Sequence, residues 1–199
     1  MLACLALGDS YTIGEGVEPA ARWPAQLAQR LRHAGVPLGE PRILATTGWT
    51  TNELSAAMDA AAFEPSYDLV SLLIGVNDQY RGRPANDYRD AFRRLLERAV
   101  ALAGDRPGRV LVLSIPDWGV TPFARAEGRD AARIAAELDA YNAIARDEAR
   151  QRGAHWVDIT PVSRSHPALL TDDGLHPAAA QYTLWAEAAL PVAHDMLAV

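Results

Sequence analysis

The sequence predicts an α/β fold, a parallel sheet with helices on both faces. Three observations carry that expectation. The chain has 199 residues, which suits one domain spanning residues 1–199. It is 49% hydrophobic and 22% charged, enough apolar residues to bury a core and too many for disorder. Short apolar runs alternate strictly with longer amphipathic ones, the pattern of a β-α-β-α sheet.

Taken in order, Leu2 to Leu7 reads as a buried strand and Pro24 to Ala34 as a helix with Leu27 and Leu31 on one face. Arg42 to Ala45 is a short strand, and Thr51 to Ala62 a helix. Asp68 to Ile74 is a near-continuous apolar run, as in a central parallel strand. Asn86 to Ala103 is a helix with Phe92, Leu95, Leu96 and Ala99 at helical spacing. Arg109 to Ile115 is another buried strand. The longest helix runs from Asp130, its N-cap, to Arg152, with Gly153 as the stop. His155 to Asp158 is a short strand, and Ala178 to Leu197 a closing helix that could break near Pro191. Alanine is abundant but falls on helical periods, and no repeat or linker interrupts the pattern.

Composition excludes several classes of function. The net charge is -6 and no Lys/Arg run occurs, which argues against a nucleic-acid partner. The single cysteine, Cys4, forbids an intrachain disulfide framework and any zinc site needing two thiolates, and it reads as a small core residue of the first strand. No apolar run approaches the ~18 residues of a membrane span. Met1 to Leu7 lacks a basic leader and is too short for a signal peptide, so a cytoplasmic protein is expected; a leader removed earlier would leave no trace here.

In parallel sheets ligands bind beyond the carboxyl ends of the strands. Five segments follow strands. The first puts the Ser10 hydroxyl on a strand-to-helix turn, a seat for a nucleophile with backbone donors close by, or simply a helix cap. The second carries Gly48, where a backbone N–H can approach a ligand, or a plain turn glycine. The third is Gly75-Val76-Asn77-Asp78, whose Asn77 amide offers neutral donors to an oxyanion, or makes an Asx turn. The fourth is Pro116-Asp117-Trp118. The fifth contains Asp172-Asp173-Gly174-Leu175-His176-Pro177, in which one turn can set the Asp173 carboxylate against His176; the alternative is an Asp capping the final helix. No second histidine lies at ligand spacing, so no metal is expected at Asp172, Asp173 and His176. Ser114 ends a strand but reads as core or loop, and His33, His155, His166 and His194 lack comparable surroundings. A nucleophile, a base, an orienting acid and two oxyanion donors beyond one sheet edge are what acyl transfer requires.

These residues resemble the SGNH subgroup of the GDSL esterase/lipase family. The blocks are Gly8-Asp9-Ser10, a lone Gly48, Gly75-x-Asn77-Asp78 and Asp173-Gly174-Leu175-His176-Pro177, in family order across nearly the whole chain. The resemblance implies a flavodoxin-like three-layer α/β/α sandwich with five strands in the order 2-1-3-4-5. It implies Ser10 as nucleophile, His176 as general base and Asp173 as its orienting acid. The Ser10 and Gly48 N–H groups and the Asn77 side chain would form the oxyanion hole. Asp9 and Asp78 would brace their loops. Trp49 is larger than the residue many members carry after the glycine, and would narrow or floor the pocket.

The expected function is hydrolysis of small carboxylic esters through an acyl-enzyme on Ser10, with no cofactor. Acyl transfer to a sugar or alcohol is the alternative within enzymes. A non-catalytic anion-binding module is the alternative outside them, although the turn lacks both GxGxxG and GxxxxGK[ST]. Trp49, Tyr80, Trp118 and Phe123 follow strand ends and are expected to line the site. No loop is long or apolar enough for a helical lid, so an open site preferring short acyl chains is expected.

Overall fold

The computed structural model describes residues 1–198. Strands β1 (Cys4–Gly8), β2 (Arg42–Ala45), β3 (Leu69–Leu73), β4 (Val110–Leu113) and β5 (His155–Val157) form one parallel sheet in the order β2-β1-β3-β4-β5. The order expected from the family resemblance is the order observed. Its central strands are buried along their whole length, which is why their sequences are apolar without alternation. Cys4 is a free, buried thiol in β1.

The long helices are α2 (Trp23–His33), α3 (Thr51–Ala60), α5 (Ala85–Leu102), α7 (Ala131–Arg152) and α9 (Ala179–Leu197). Helix α2 packs on α9, while α3 and α7 pack on α5, so two helical groups flank the sheet. Asp130 caps α7 as expected, accepting from the N–H groups of Ala132 and Arg133, and Gly153 ends it in the left-handed conformation. Helix α3 opens with a capping box between Thr50 and Glu53.

Several expectations need correction. Helix α9 runs unbroken through Pro191. Proline removes one donor, to the carbonyl of Glu187, but buried Trp185, Ala186, Ala189, Ala193, Met196 and Leu197 anchor the helix on both sides of it. Helix α3 stops at Ala60, two residues early, because Ala61 is extended. The fourth strand ends at Leu113 rather than Ile115: the Ser114 N–H still reaches Val157, but Pro116 has no N–H to continue the ladder. Four short helices were read as loop: α1 (Ser10–Ile13), α4 (Val76–Tyr80), α6 (Pro122–Ala126) and α8 (Thr160–Ser165). Each is under two turns and too short to show a period. All but α6 begin within three residues of a strand end.

Register sets the level at which the chain leaves the sheet. Gly8 is paired with Ala45 on one side and Leu73 on the other. The segments after β1, β2 and β3 therefore emerge side by side. Among the described residues no helix is long and apolar enough to cross a membrane.

Candidate active site

Ser10 is the first residue of α1. Asp9 caps that helix, its Oδ1 accepting from the Tyr11 N–H at 3.0 Å while its backbone carbonyl accepts from Thr12 and Ile13. The Ser10 N–H has no acceptor of its own among the described residues and stays free at a positive helix end.

Gly48 sits in the turn after β2 with φ +87°, and nothing lies within 4 Å of where a Cβ would stand. The need for glycine here is therefore conformational, and steric access, the reason the sequence suggested, is secondary. The Trp49 N–H turns back to the Thr46 carbonyl, whereas the Gly48 N–H has no acceptor among the described residues. The Arg81 Nη2 donates to the Gly48 carbonyl at 2.7 Å and fixes that peptide from behind.

Helix α4 is preceded by its N-cap Gly75, whose φ of +129° and packing exclude a side chain: a Cβ would lie 2.6 Å from Tyr88 Cε2. Asn77 Nδ2 donates to the Trp49 carbonyl at 2.9 Å, which spends one of its two amide hydrogens and orients the amide. Asp78 is fully buried. It accepts from the Thr51 N–H at 2.8 Å, the Thr51 hydroxyl at 2.7 Å and Arg83 Nη1 at 2.6 Å. It thus ties α4 to the start of α3 rather than bracing its own loop alone.

The last site segment is a narrow hairpin. Leu170 bridges Pro177, and the Thr171 N–H donates to the His176 carbonyl. At its tip Asp173 Oδ1 accepts from the N–H groups of Leu175 and His176 at 2.8 and 2.9 Å, and from the Thr171 hydroxyl at 2.8 Å. Asp173 Oδ2 lies 2.6 Å from His176 Nδ1. Partial burial raises the Asp173 carboxyl, but the His176 side chain, the two backbone donors and the Thr171 hydroxyl outweigh it and bring it down to about 2. The final helix is capped by Ala178, not by an aspartate. Asp172 is exposed and makes no such bonds.

One pocket of about 230 Å³ collects these groups. Ser10, Gly48, Asn77 and His176 line it together with Tyr11, Thr47, Val76, Tyr80, Trp118, Phe123 and Leu175. Of the four aromatics expected there, Tyr80, Trp118 and Phe123 form one wall, with ring centroids 5.4 Å apart for Tyr80 and Trp118 and 6.3 Å for Trp118 and Phe123. Trp49 is absent from the lining: its side chain packs against the core, and its carbonyl contributes instead. Tyr11 was missed. It follows Ser10 directly, and its ring meets His176 edge-on at 6.1 Å and Trp185 at 6.0 Å. Gln79 was missed too. It accepts from the Trp118 indole at 2.8 Å and donates to Glu137 at 2.7 Å, and its only sequence signal is its place beside Asn77-Asp78.

Asp9 is the unusual ionisable group. Its carboxyl is wholly buried and Oδ2 has no hydrogen-bond partner in the chain. Burial raises it to about 8, helped by the charge of Asp78 and opposed by the Tyr11 N–H. Ser114 and Ser163 lie elsewhere and are saturated. Ser114 Oγ accepts from the N–H groups of Ile159 and Thr160 and donates to Asp158, while Ser163 Oγ lies between the Asp117 N–H and the Thr160 carbonyl. His166 ends α8, outside the pocket lining. Among the described residues no group of three or more His, Cys, Asp or Glu is placed to hold a metal ion.

The arrangement offers a hydroxyl, an imidazole backed by a carboxylate, and three N–H donors around one apolar-walled space. Comparison with known proteins adds three findings. Residues 6–184 match the GDSL-like Lipase/Acylhydrolase family. A search of curated sequences finds no match. Similar solved structures include TesA (22% identity, TM-score 0.74, covering 98% of this chain and 99% of that one). Others are the lipase/acylhydrolase from Enterococcus faecalis (17%, 0.74, 99% and 97%) and the acetylxylan esterase Axe2 from Geobacillus stearothermophilus (21%, 0.72, 96% and 94%).

Proposed function

The chain belongs to the GDSL-like lipase/acylhydrolase family, and on that premise we propose that it hydrolyses small carboxylic esters through an acyl-enzyme on Ser10. The observation that carries this reading is the 2.6 Å contact of Asp173 with His176 Nδ1 in a hairpin that brings the imidazole to the pocket of Ser10. With Nδ1 held by the carboxylate, Nε2 is the nitrogen left to accept the Ser10 proton.

Ser10 Oγ attacks the acyl carbon as His176 takes its proton. The carbonyl oxygen becomes an oxyanion, met by the Ser10 and Gly48 N–H groups and the remaining Asn77 amide hydrogen. His176 then protonates the departing alkoxide. A water molecule, deprotonated by His176, attacks the acyl-enzyme and frees the acid and Ser10. The pocket falls just below the ~300–1,000 Å³ common for drug-sized ligands, which suits a short acyl group.

The test is turnover of p-nitrophenyl acetate at neutral pH, with peptide mapping after a sulfonyl fluoride. Ser10→Ala should lose at least about 10³-fold in kcat, and the adduct should map to Ser10. An adduct on Ser114 or Ser163 would overturn the assignment. Added alcohol acceptors distinguish hydrolysis from acyl transfer by product.

A further inference from the structure

A cation packs against the aromatic wall. The Arg129 guanidinium carbon lies 4.9 Å from the Tyr80 ring centroid and 5.2 Å from that of Trp118. Both rings line the pocket. Arg129 is exposed, and among the described residues its side chain makes no hydrogen bond or ion pair, only these two ring contacts.

Its neighbours are all spent. Arg81 holds the Gly48 carbonyl and pairs with Glu53, Arg125 holds the Val120 carbonyl at 3.1 Å, and Arg133 pairs with Glu137. The charge of Arg129 reaches Glu137, but that carboxylate is already shared between Arg133 Nε at 2.8 Å and Gln79 Nε2 at 2.7 Å. Asp130, next in the chain, caps α7. Two carboxylates beside pocket-lining residues are engaged as well: Glu15 accepts from the Thr47 hydroxyl, and Asp173 faces His176. Of all these charged side chains, the Arg129 guanidinium alone has neither a hydrogen bond nor an ion pair, and it is stacked on two rings of the pocket wall.

Stacking fixes the plane of a guanidinium and leaves its N–H edges free. A fork held in that way is suited to a carboxylate. We propose that Arg129 is a specificity-determining residue that selects esters carrying a terminal carboxylate on the arm lying along Tyr80 and Trp118. This rests on the esterase reading and names its substrate class.

Two matched pairs of substrates test it: the mono-p-nitrophenyl ester of glutaric acid against p-nitrophenyl pentanoate, and 4-carboxyphenyl acetate against phenyl acetate, each corrected for spontaneous hydrolysis. In at least one pair the wild type should favour the anionic ester in kcat/KM. Arg129→Met should cut that preference about fivefold while neutral esters change less than about twofold, and added salt should erode it in the wild type only. Equal ratios in wild type and Arg129→Met for both pairs would overturn the proposal, as would neutral and anionic esters falling together. Binding of monomethyl glutarate to Ser10→Ala, followed by tryptophan fluorescence with and without Arg129→Met, separates the two readings. Arg129-dependent binding with no ester turnover by the wild type would sink the esterase reading and, with it, ester selection, leaving Arg129 as a carboxylate-binding residue only. Binding indifferent to Arg129, with no turnover, would sink both.

Discussion

Asp173 does two jobs with one carboxylate. Oδ1 closes the turn through two backbone N–H groups, and Oδ2 takes the imidazole. A neutral amide at this position keeps the turn acceptor but withdraws a charge that favours the imidazolium. Asp173→Asn should therefore lower kcat and move the acid limb of the rate profile to lower pH, whereas Asp172→Asn should do neither; the pair of pH profiles decides it. Asp9 makes the opposite kind of statement. Its carboxyl titrates near 8 when folded, against an ordinary value of 3.8. The native state thus keeps a proton that the unfolded chain sheds above about pH 4. That contribution to stability is complete below pH 4, declines as pH rises, and is gone once pH passes 8. Asp9→Asn carries no such proton, so its Tm relative to wild type should climb between pH 5 and pH 8 by several degrees, at roughly 2–4 °C per kcal/mol for a chain of this size. A constant difference across that range in scanning calorimetry would show that Asp9 is ionised in the native state.

Helix α4 is five residues long and all five serve the site, Val76 as part of the pocket lining. Asn77 bonds the Trp49 carbonyl, Asp78 holds Thr51, Gln79 holds the Trp118 indole and Tyr80 joins the aromatic wall. A short helix offers few internal hydrogen bonds, so its position depends on these outside contacts. Removing Asp78 leaves Arg83 without its buried partner and two Thr51 donors unanswered. Asp78→Ala should cost about 3 kcal/mol of stability and lower kcat as well, since the Gly48 turn and Asn77 lose their common support. Asn77→Ala should instead lower kcat by about 10²–10³-fold with little change in KM and a smaller loss of stability, since only its hydrogen bond to the Trp49 carbonyl goes. Denaturant curves beside kinetics separate the two. The element also shows where sequence reading stops. Asn77 and Asp78 were legible because a buried strand aims whatever follows it at the sheet edge. Gln79 was not, because its role depends on Trp118, 39 residues on, whose approach no local pattern announces.

For the whole molecule the sheet was legible and its trimmings were not. Apolar runs named every strand, and alternation made the sheet parallel. Strand ends were misplaced where one hydrogen bond decides them, as at Ser114. Pro191 misled because its penalty is local while the burial of α9 is spread along the helix. Trp49 misled for a related reason: its position in sequence was right, but which way a side chain turns is settled by what else needs the space. The pocket wall of Tyr80, Trp118 and Phe123 bears on substrate length. Each methylene left in water forgoes up to about 0.8 kcal/mol, so kcat/KM on p-nitrophenyl esters should peak between acetate and hexanoate and fall beyond about octanoate. A maximum at laurate or palmitate, with detergent controls, would point to a longer groove.

Ser10 opens the chain and the Asp173–His176 hairpin nearly closes it, just before α9. Helix α9 is fastened back onto α2 through Arg30 with Glu187 at 3.1 Å and Gln26 with Thr183 at 2.7 Å. Ser10, Gly48 and Asn77, the proposed nucleophile and oxyanion donors, are thus far in sequence from the proposed base, His176. On the proposed roles, base and nucleophile come together only when α9, which follows the hairpin, is docked beside α2, which follows Ser10.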